Sequence, residues 1–214
     1  MTRLYRLDAE AADIAKRFGA TSGADPWAGG YLAPERFAPI VTAGRDFIAG
    51  PRPVGRALEP RMVPRLWAVL PPPNSDDPTR RIASLRNAES PFWIGHLRNS
   101  EFRCVVPTTA VMLWGSGTDY EGRRNRHWLG VAGEPIFAML GVWKDEEVPA
   151  FAVISGDPKG APSHLGANAA PLILPATSRA LQAWLHGGWD QARRVMEDAQ
   201  SSCRLVEMAD GQNV

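Results

Sequence analysis

Phe102-Arg103-Cys104-Val105-Val106 and, after Pro107-Thr108-Thr109, Ala110-Val111-Met112-Leu113-Trp114 decide the fold class. Each is a short apolar burst too brief for a helix, so both read as strands. The same signature recurs at Arg65 to Leu70, Ile136 to Trp143 and Ala150 to Ile154. Residues 19–60 are rich in Gly, Pro and Arg and read as loops with short strands such as Pro39-Ile40-Val41. Ala132-Gly133-Glu134-Pro135 reads as the turn of a hairpin between Trp128-Leu129 and Ile136-Phe137. The ends are helical. Ala11, Ile14, Ala15 and Phe18 recur at helical spacing, with Asp8 as cap and Gly19 as stop. Near the other end, Thr177 or Ser178 caps a segment with Ala180, Leu181, Trp184 and Leu185 on one side, closed by Gly187-Gly188. Asp190 opens another, with Ala192, Val195, Met196 and Ala199 in step. Strands in the middle and helices at the ends imply an α+β fold. Its core is a largely antiparallel sheet or barrel flanked by helices, not alternating βαβ units.

Composition narrows the class. The chain has 214 residues, 44% hydrophobic and 22% charged, which matches an ordinary globular protein and excludes collagen and coiled coil. Gly 20 and Pro 19 together fall short of the ~25–30% at which disorder becomes the default. Pro71-Pro72-Pro73-Asn74-Ser75-Asp76-Asp77-Pro78 reads as a loop inside one domain, because neither side of it has elements enough for its own core. The net charge of +1 provides no global field for nucleic acid or membrane. Only Lys16, Lys144 and Lys159 are lysines, so the basic side is almost all arginine, the better bidentate phosphate donor. An arginine-rich proteome gives the same bias and is the favoured reading, since a DNA-binding domain more often shows a clear basic excess. Cys104 and Cys203 are too few and too isolated for a disulfide framework or a CxxC metal site. The opening Met1-Thr2-Arg3-Leu4-Tyr5-Arg6 has no apolar h-region. The longest apolar run is far below the ~20 residues needed to span a bilayer. A cytoplasmic protein without membrane attachment is expected.

Common catalytic signatures are missing: no GxSxG, no HExxH, no phosphate loop ending in GK[ST], no GxGxxG after a strand. His96, His127, His164 and His186 are too far apart in sequence for a local metal pair. Neither metal nor cofactor is expected. The tryptophans are core residues by default, with a minority available as stacking platforms.

Read in order, the segments resemble the SRAP (SOS response-associated peptidase) family, whose members act on abasic sites in single-stranded DNA. Met1-Thr2-Arg3-Leu4-Tyr5-Arg6-Leu7 resembles the family's Met-Cys-Gly-Arg-Tyr-x-Leu opening. Tyr31-Leu32-Ala33-Pro34 is similar to its Asn-x-Ala-Pro, and Trp67-Ala68-Val69-Leu70-Pro71 to its Trp-Gly-Leu-Ile-Pro. Leu85-Arg86-Asn87-Ala88-Glu89-Ser90 echoes Asn-Ala-Arg-x-Glu-Thr, and Arg103-Cys104-Val105-Val106-Pro107 is close to Arg-Cys-Leu-Val-Pro. Ala110-Val111-Met112-Leu113-Trp114 maps on Gly-Phe-Tyr-Glu-Trp, and Pro135 to Trp143 on Pro-x-Ala-Phe-Ala-Gly-Leu-Trp. Ala170-Pro171-Leu172-Ile173-Leu174-Pro175 and Trp184-Leu185 complete the series. The resemblance covers residues 1 to about 185, leaving 190–214 as a C-terminal helix and tail of the same single domain. It is the order of these matches, not any single one, that is specific, and it suggests a divergent, phage-related member.

The resemblance also shows where the family chemistry breaks. Family members crosslink abasic DNA through an N-terminal Cys, with an Asn, a Glu and a His nearby. Here Thr2 stands for the Cys. It retains an amine with a pKa near ~7.7–8.0 for Schiff-base formation but a far weaker nucleophile. Leu113 stands for the Glu, removing proton-transfer help worth ~10²–10⁴-fold. Two registers are open for the Asn: one anchored on Glu89-Ser90 puts Leu85 there, the other keeps Asn87, which reads equally as a turn residue. The family His falls at Ala167. His164, three residues earlier, reaches the site only through a reshaped loop and reads first as a surface loop histidine. Thr2, Asn87 and His164 are therefore the residual catalytic candidates.

Pro34, Trp67, Arg86 and Trp114, with Arg98 or Arg103, are candidates for contacting single-stranded or abasic DNA. The expected function is DNA binding by a monomer of the DNA-damage response whose crosslinking site is degenerate. Alternatives are an active enzyme forming a Schiff base with abasic DNA or processing its own start, and a non-catalytic scaffold for another protein.

Overall fold

The computed structural model describes residues 3–23, 27–44, 59–202 and 204–208. In chain order the elements are β1 (Tyr5–Leu7), α1 (Ala11–Phe18), β2 (Gly30–Leu32), β3 (Phe37–Thr42), β4 (Arg61–Trp67), β5 (Ser84–Leu85) and α2 (Pro91–Arg98). After a single 3₁₀ turn come β6 (Arg103–Thr108), β7 (Ala110–Thr118), β8 (Arg124–Val131), β9 (Phe137–Lys144) and β10 (Ala150–Gly156). The chain ends with α3 (Ala161–His164), β11 (Ala170–Pro171), α4 (Ser178–His186), α5 (Trp189–Ser201) and β12 (Leu205–Glu207).

The apolar bursts build a closed barrel. β4 pairs with β3, β3 with β6, β6 with β9 and β9 with β10, all antiparallel. A short parallel pairing of β10 with β4, Ala150 opposite Leu66 and Phe151 opposite Trp67, closes the ring. The barrel interior takes one face of β6 and β9, and α2, α4 and β1 pack on the other, so every residue of both is buried, which is why they read as continuous runs and not as alternation. Gly141 allows the wall to close, since a Cβ there would lie 2.9 Å from Cys104 Sγ and 3.0 Å from Val106 Cγ2. A second, antiparallel sheet runs β12-β8-β7-β1-β2. The chain passes from barrel to sheet at Thr108-Thr109, whose hydroxyls both donate to the Arg6 carbonyl at 3.0 Å.

The helices follow their sequence signals with local corrections. Gly19 ends α1 at φ 59, but the N-cap is Glu10 without a side-chain bond. Asp8 instead faces the Arg6 guanidinium at 2.8 Å. Thr177 caps α4 by accepting from the Ala180 amide at 3.1 Å. Gly188, not Asp190, precedes α5. The 132–135 turn is present, with the Glu134 amide donating to Val131 at 3.1 Å, but it joins no hairpin. β8 pairs with β7 and β12, whereas β9 enters the barrel. Glu134 itself is held by ion pairs to Arg17 and Arg204. The expected C-terminal tail contributes β12, which extends the sheet by pairing Leu205 with Val131. Cys203 lies outside the described residues; Cys104 is buried and free, and burial pushes its thiol up.

Candidate nucleic-acid interface

A cleft of about 550 Å³ opens where the described chain begins, lined among others by Arg3, Pro34, Arg80, Arg81 and Ser84. Its floor is the turn joining β2 to β3 and the end of β4. The Glu35 amide donates to the Trp67 carbonyl at 2.7 Å, and the Trp67 amide to Arg36 at 2.9 Å. Its wall is the proline-rich loop, tied back by reciprocal backbone bonds between Val69 and Ile82 and by Arg81 Nη1 donating to the Ala68 carbonyl at 3.2 Å. Within that loop Asp77 accepts from the Thr79 hydroxyl and the Thr79 and Arg80 amides. The Thr79 bonds come first in holding its carboxyl below the ordinary carboxylate range. Glu146 accepts from the Leu70 amide, while burial pushes its own carboxyl upward.

Two non-glycine residues with positive φ among those described, Glu35 at 67° and Ala68 at 94°, meet at this floor. Backbone strain of this kind costs ~1–3 kcal/mol per residue and gathers at functional sites. Ala68 is buried and occupies the glycine position of the resembled Trp-Gly motif. Ala68→Gly is expected to leave the protein as stable or to stabilise it by up to about 1 kcal/mol, relief of strain outweighing the lost methyl burial and added chain freedom. Urea midpoints check this, and a loss of 1 kcal/mol or more contradicts strain at Ala68.

Of the residues singled out from the sequence, Pro34 lines the cleft. Thr2 lies outside the described residues; its neighbour Arg3 is at the cleft. Trp67 is a correction. It is 0% exposed, its indole N–H donates to the Ala83 carbonyl at 2.9 Å, and its ring packs against Tyr5 and Phe151. No face is available to a base. Arg103 is a second correction, fully buried under α2 and α4. Arg98 is exposed on α2. Arg86 is ion-paired with Asp157 at 2.6 Å. Asn87 is exposed and accepts from the Glu89 amide at 3.1 Å, a turn that leads into α2. His164 is exposed at the end of α3. None of Arg86, Asn87 and His164 lines the cleft.

Trp114 is half-buried on β7, opposite Arg126 of β8. Leu113 is 1% exposed and belongs to the core. Its cross-strand neighbour His127 places Nδ1 at 2.6 Å from Glu207 Oε1. His96, packed edge-on to Phe102, is pushed down to about 4 by burial and then by Lys144. Among the described residues no group of three or more His, Cys, Asp or Glu could hold a metal ion. None of their helices is long and apolar enough to cross a membrane.

Sequence reasoning missed Arg80, Arg81 and Ser84 at the cleft. The signal available was the arginine doublet that follows the proline-rich loop. It also missed the His127–Glu207 pair, whose partners are 80 residues apart.

No protein-family model matches the chain, and no curated protein matches it. Solved structures do. A protein from Bordetella bronchiseptica aligns over 97% of this chain and 99% of its own, with a TM-score of 0.67 at 14% identity. A protein from Bacteroides thetaiotaomicron aligns over 97% and 92%, with a TM-score of 0.70 at 18% identity. A phage-related protein from Bordetella bronchiseptica aligns over 98% and 94%, with a TM-score of 0.71 at 11% identity. What the chain shares with these proteins is the fold, since function does not travel with fold at such identities.

Proposed function

We propose that this chain is a SRAP-like protein of the DNA-damage response that binds single-stranded DNA, abasic DNA included, through a crosslinking centre that has degenerated. The observation that carries the reading is the gathering of Arg3, Arg80 and Arg81 with Pro34 in one cleft, which Glu35, Asp76 and Asp77 also line, Asp77 being taken up by Thr79 and the Arg80 amide, beside the strained Glu35 and Ala68. Guanidinium groups at a concave site suit phosphate, and the cleft adjoins the segment that the family uses for chemistry. Degeneracy is supported by Leu113. Its side chain is packed in the core, where it neither carries a proton nor leaves room for a solvated carboxylate.

Binding is tested by fluorescence anisotropy of labelled dT20 against a duplex of the same length. The expected result is preference for the single strand and a negative slope of log K on log salt. Arg80→Ala is expected to reduce that slope by about 1. Equal affinity for single strand and duplex overturns the binding assignment. Intact-mass measurement with an abasic oligonucleotide tests the chemistry. No adduct is expected without borohydride, while a weak reduced Schiff base is compatible with a retained amine. A heat-stable adduct without reduction overturns the degenerate assignment.

A further inference from the structure

Register assigns the two faces of the wall formed by β3, β4, β10 and β9, because directly paired residues share a face and neighbours along a strand alternate. Trp67, Phe151 and Trp143 are paired in one row across β4, β10 and β9, and all are 0% exposed. The next row, Phe37–Leu66–Ala150–Lys144, lies on the opposite face. Helix α2 covers this row at its β9 end, where Lys144 Nζ lies 3.1 Å from the centroid of the Phe92 ring. At the β3 end Leu66 is half-buried and Phe37 is 58% exposed.

The β9–β10 turn brings more apolar surface to the uncovered end. The Leu66 amide donates to the Pro149 carbonyl at 3.1 Å, which places exposed Val148 beside the row. The Leu70 amide donates to Glu146 Oε2 at 3.1 Å, which draws the exposed Leu70 to the same turn. The other exposed large hydrophobic side chains among the described residues, Tyr31, Tyr120 and Val206, are scattered over β2, the β7–β8 turn and β12. Single exposed apolar side chains are ordinary, whereas a gathered patch marks a contact surface.

Charge is divided across this patch. Arg36 is exposed beside Phe37 on the β3 side, and Asp145 and Glu147 are exposed in the turn on the far side. Among the described residues no ion pair takes up these three side chains. Their acidic neighbours are engaged elsewhere, Glu146 with the Leu70 amide and Glu35 at the cleft. Two bare carboxylates make the patch a poor site for nucleic acid. They suit a second copy. A two-fold contact is self-complementary, and an axis over Leu66 sets Arg36 of one protomer against Asp145 and Glu147 of its partner on both sides.

We propose that this patch is the contact of a two-fold dimer of the chain. Phe37, Leu66, Leu70 and Val148 form its apolar centre, and Arg36 with Asp145 and Glu147 forms its charged rim. The dimer stands independently of the DNA reading and replaces the monomer expected from the sequence.

Light scattering coupled to gel filtration tests this with the full chain over a wide range of concentration. The unaltered protein is expected to pass from one chain mass to two as concentration rises. Phe37→Ser, an exposed change, is expected to weaken association about tenfold or more. Arg36→Glu in one chain, and Asp145→Lys with Glu147→Lys in another, are each expected to give monomers, because like charges meet at both rims. Mixed in equal amounts, these two chains are expected to form a heterodimer, since opposite charges then face each other at both rims. Circular dichroism verifies that every variant is folded. A single chain mass for the unaltered protein at every concentration overturns the proposal. So does a dimer that Phe37→Ser and Arg36→Glu both leave within about twofold of its original affinity. Charge variants that dissociate alone and fail to associate when mixed overturn the two-fold pairing.

Discussion

Arg103→Met is expected to destabilise the protein by about 3–5 kcal/mol, out of a total that for a domain is ~5–15 kcal/mol. Arg103 is 0% exposed and uses its whole guanidinium on backbone. Nε donates to the Trp184 carbonyl at 2.5 Å, Nη1 to Leu97 at 2.9 Å, and Nη2 makes a short bond to Gly187. These are carbonyls at the last turns of α2 and α4, where a helix has no internal donor left to offer. The cation also sits at the negative ends of two helix dipoles and over the Trp184 ring at 5.7 Å. Burial lowers its affinity for the proton, to a pKa of about 10, so it stays charged at neutral pH. Methionine fills much of the volume but leaves three carbonyls without this donor, each costing ~1–3 kcal/mol when buried and unsatisfied. Arg103→Lys is expected to recover only part of the loss, because an ammonium lacks the planar fork. Urea denaturation followed by far-ultraviolet circular dichroism measures both. A loss below 1 kcal/mol for Arg103→Met would show that the two helix ends find other donors.

Trp67→Ala is expected to cost about 3–5 kcal/mol, comparable with other large aromatic deletions from a core. The ring joins the two halves of the fold. Tyr5 of the open sheet meets it edge-on at 5.0 Å, and Phe151 of the barrel lies parallel to it at 6.4 Å. The Ala83 carbonyl also loses the indole as donor. Trp67→Phe retains most of the packing and is expected to cost roughly half as much. The diagnostic measurement combines stability with dT20 affinity. Trp67→Phe should bind within about twofold of the unaltered protein, since stacking on a base would instead be worth ~1–3 kcal/mol. A folded Trp67→Ala variant of unchanged stability that has lost binding would return the residue to the DNA surface.

These two residues mark the boundary of what is legible in the chain. Barrel strands β6, β9 and β10 are visible as apolar runs because the barrel interior takes one face and packed elements cover the other, and β7 is visible through its buried first half, Ala110 to Leu113. Helices α1 and α4 are visible because each buries one stripe and carries a local stop or cap in Gly19 or Thr177. Pro34 is visible at the cleft through the order of motifs. Local pattern goes no further. The 132–135 segment has the chemistry of a turn, but turn chemistry does not say whether the strands it joins share a sheet, and β8 and β9 do not. Three-residue β12 carries too little pattern to be seen before β8 offers it an edge. Asn87 reads equally as a site residue or a turn residue until its side chain closes on the Glu89 amide.

Composition and pattern by themselves determined an α+β domain with a barrel or antiparallel core. Tertiary structure decided which large polar and aromatic side chains face inward. Arg103 looks like any surface arginine until Leu97, Trp184 and Gly187 converge on it, two of them more than 80 residues away. Trp67 looks like a stacking platform until Tyr5 and Phe151 enclose it. The physical reason is common to both. Burial and hydrogen-bond satisfaction are properties of several chain segments at once, while periodicity and capping are written within a few residues of one another.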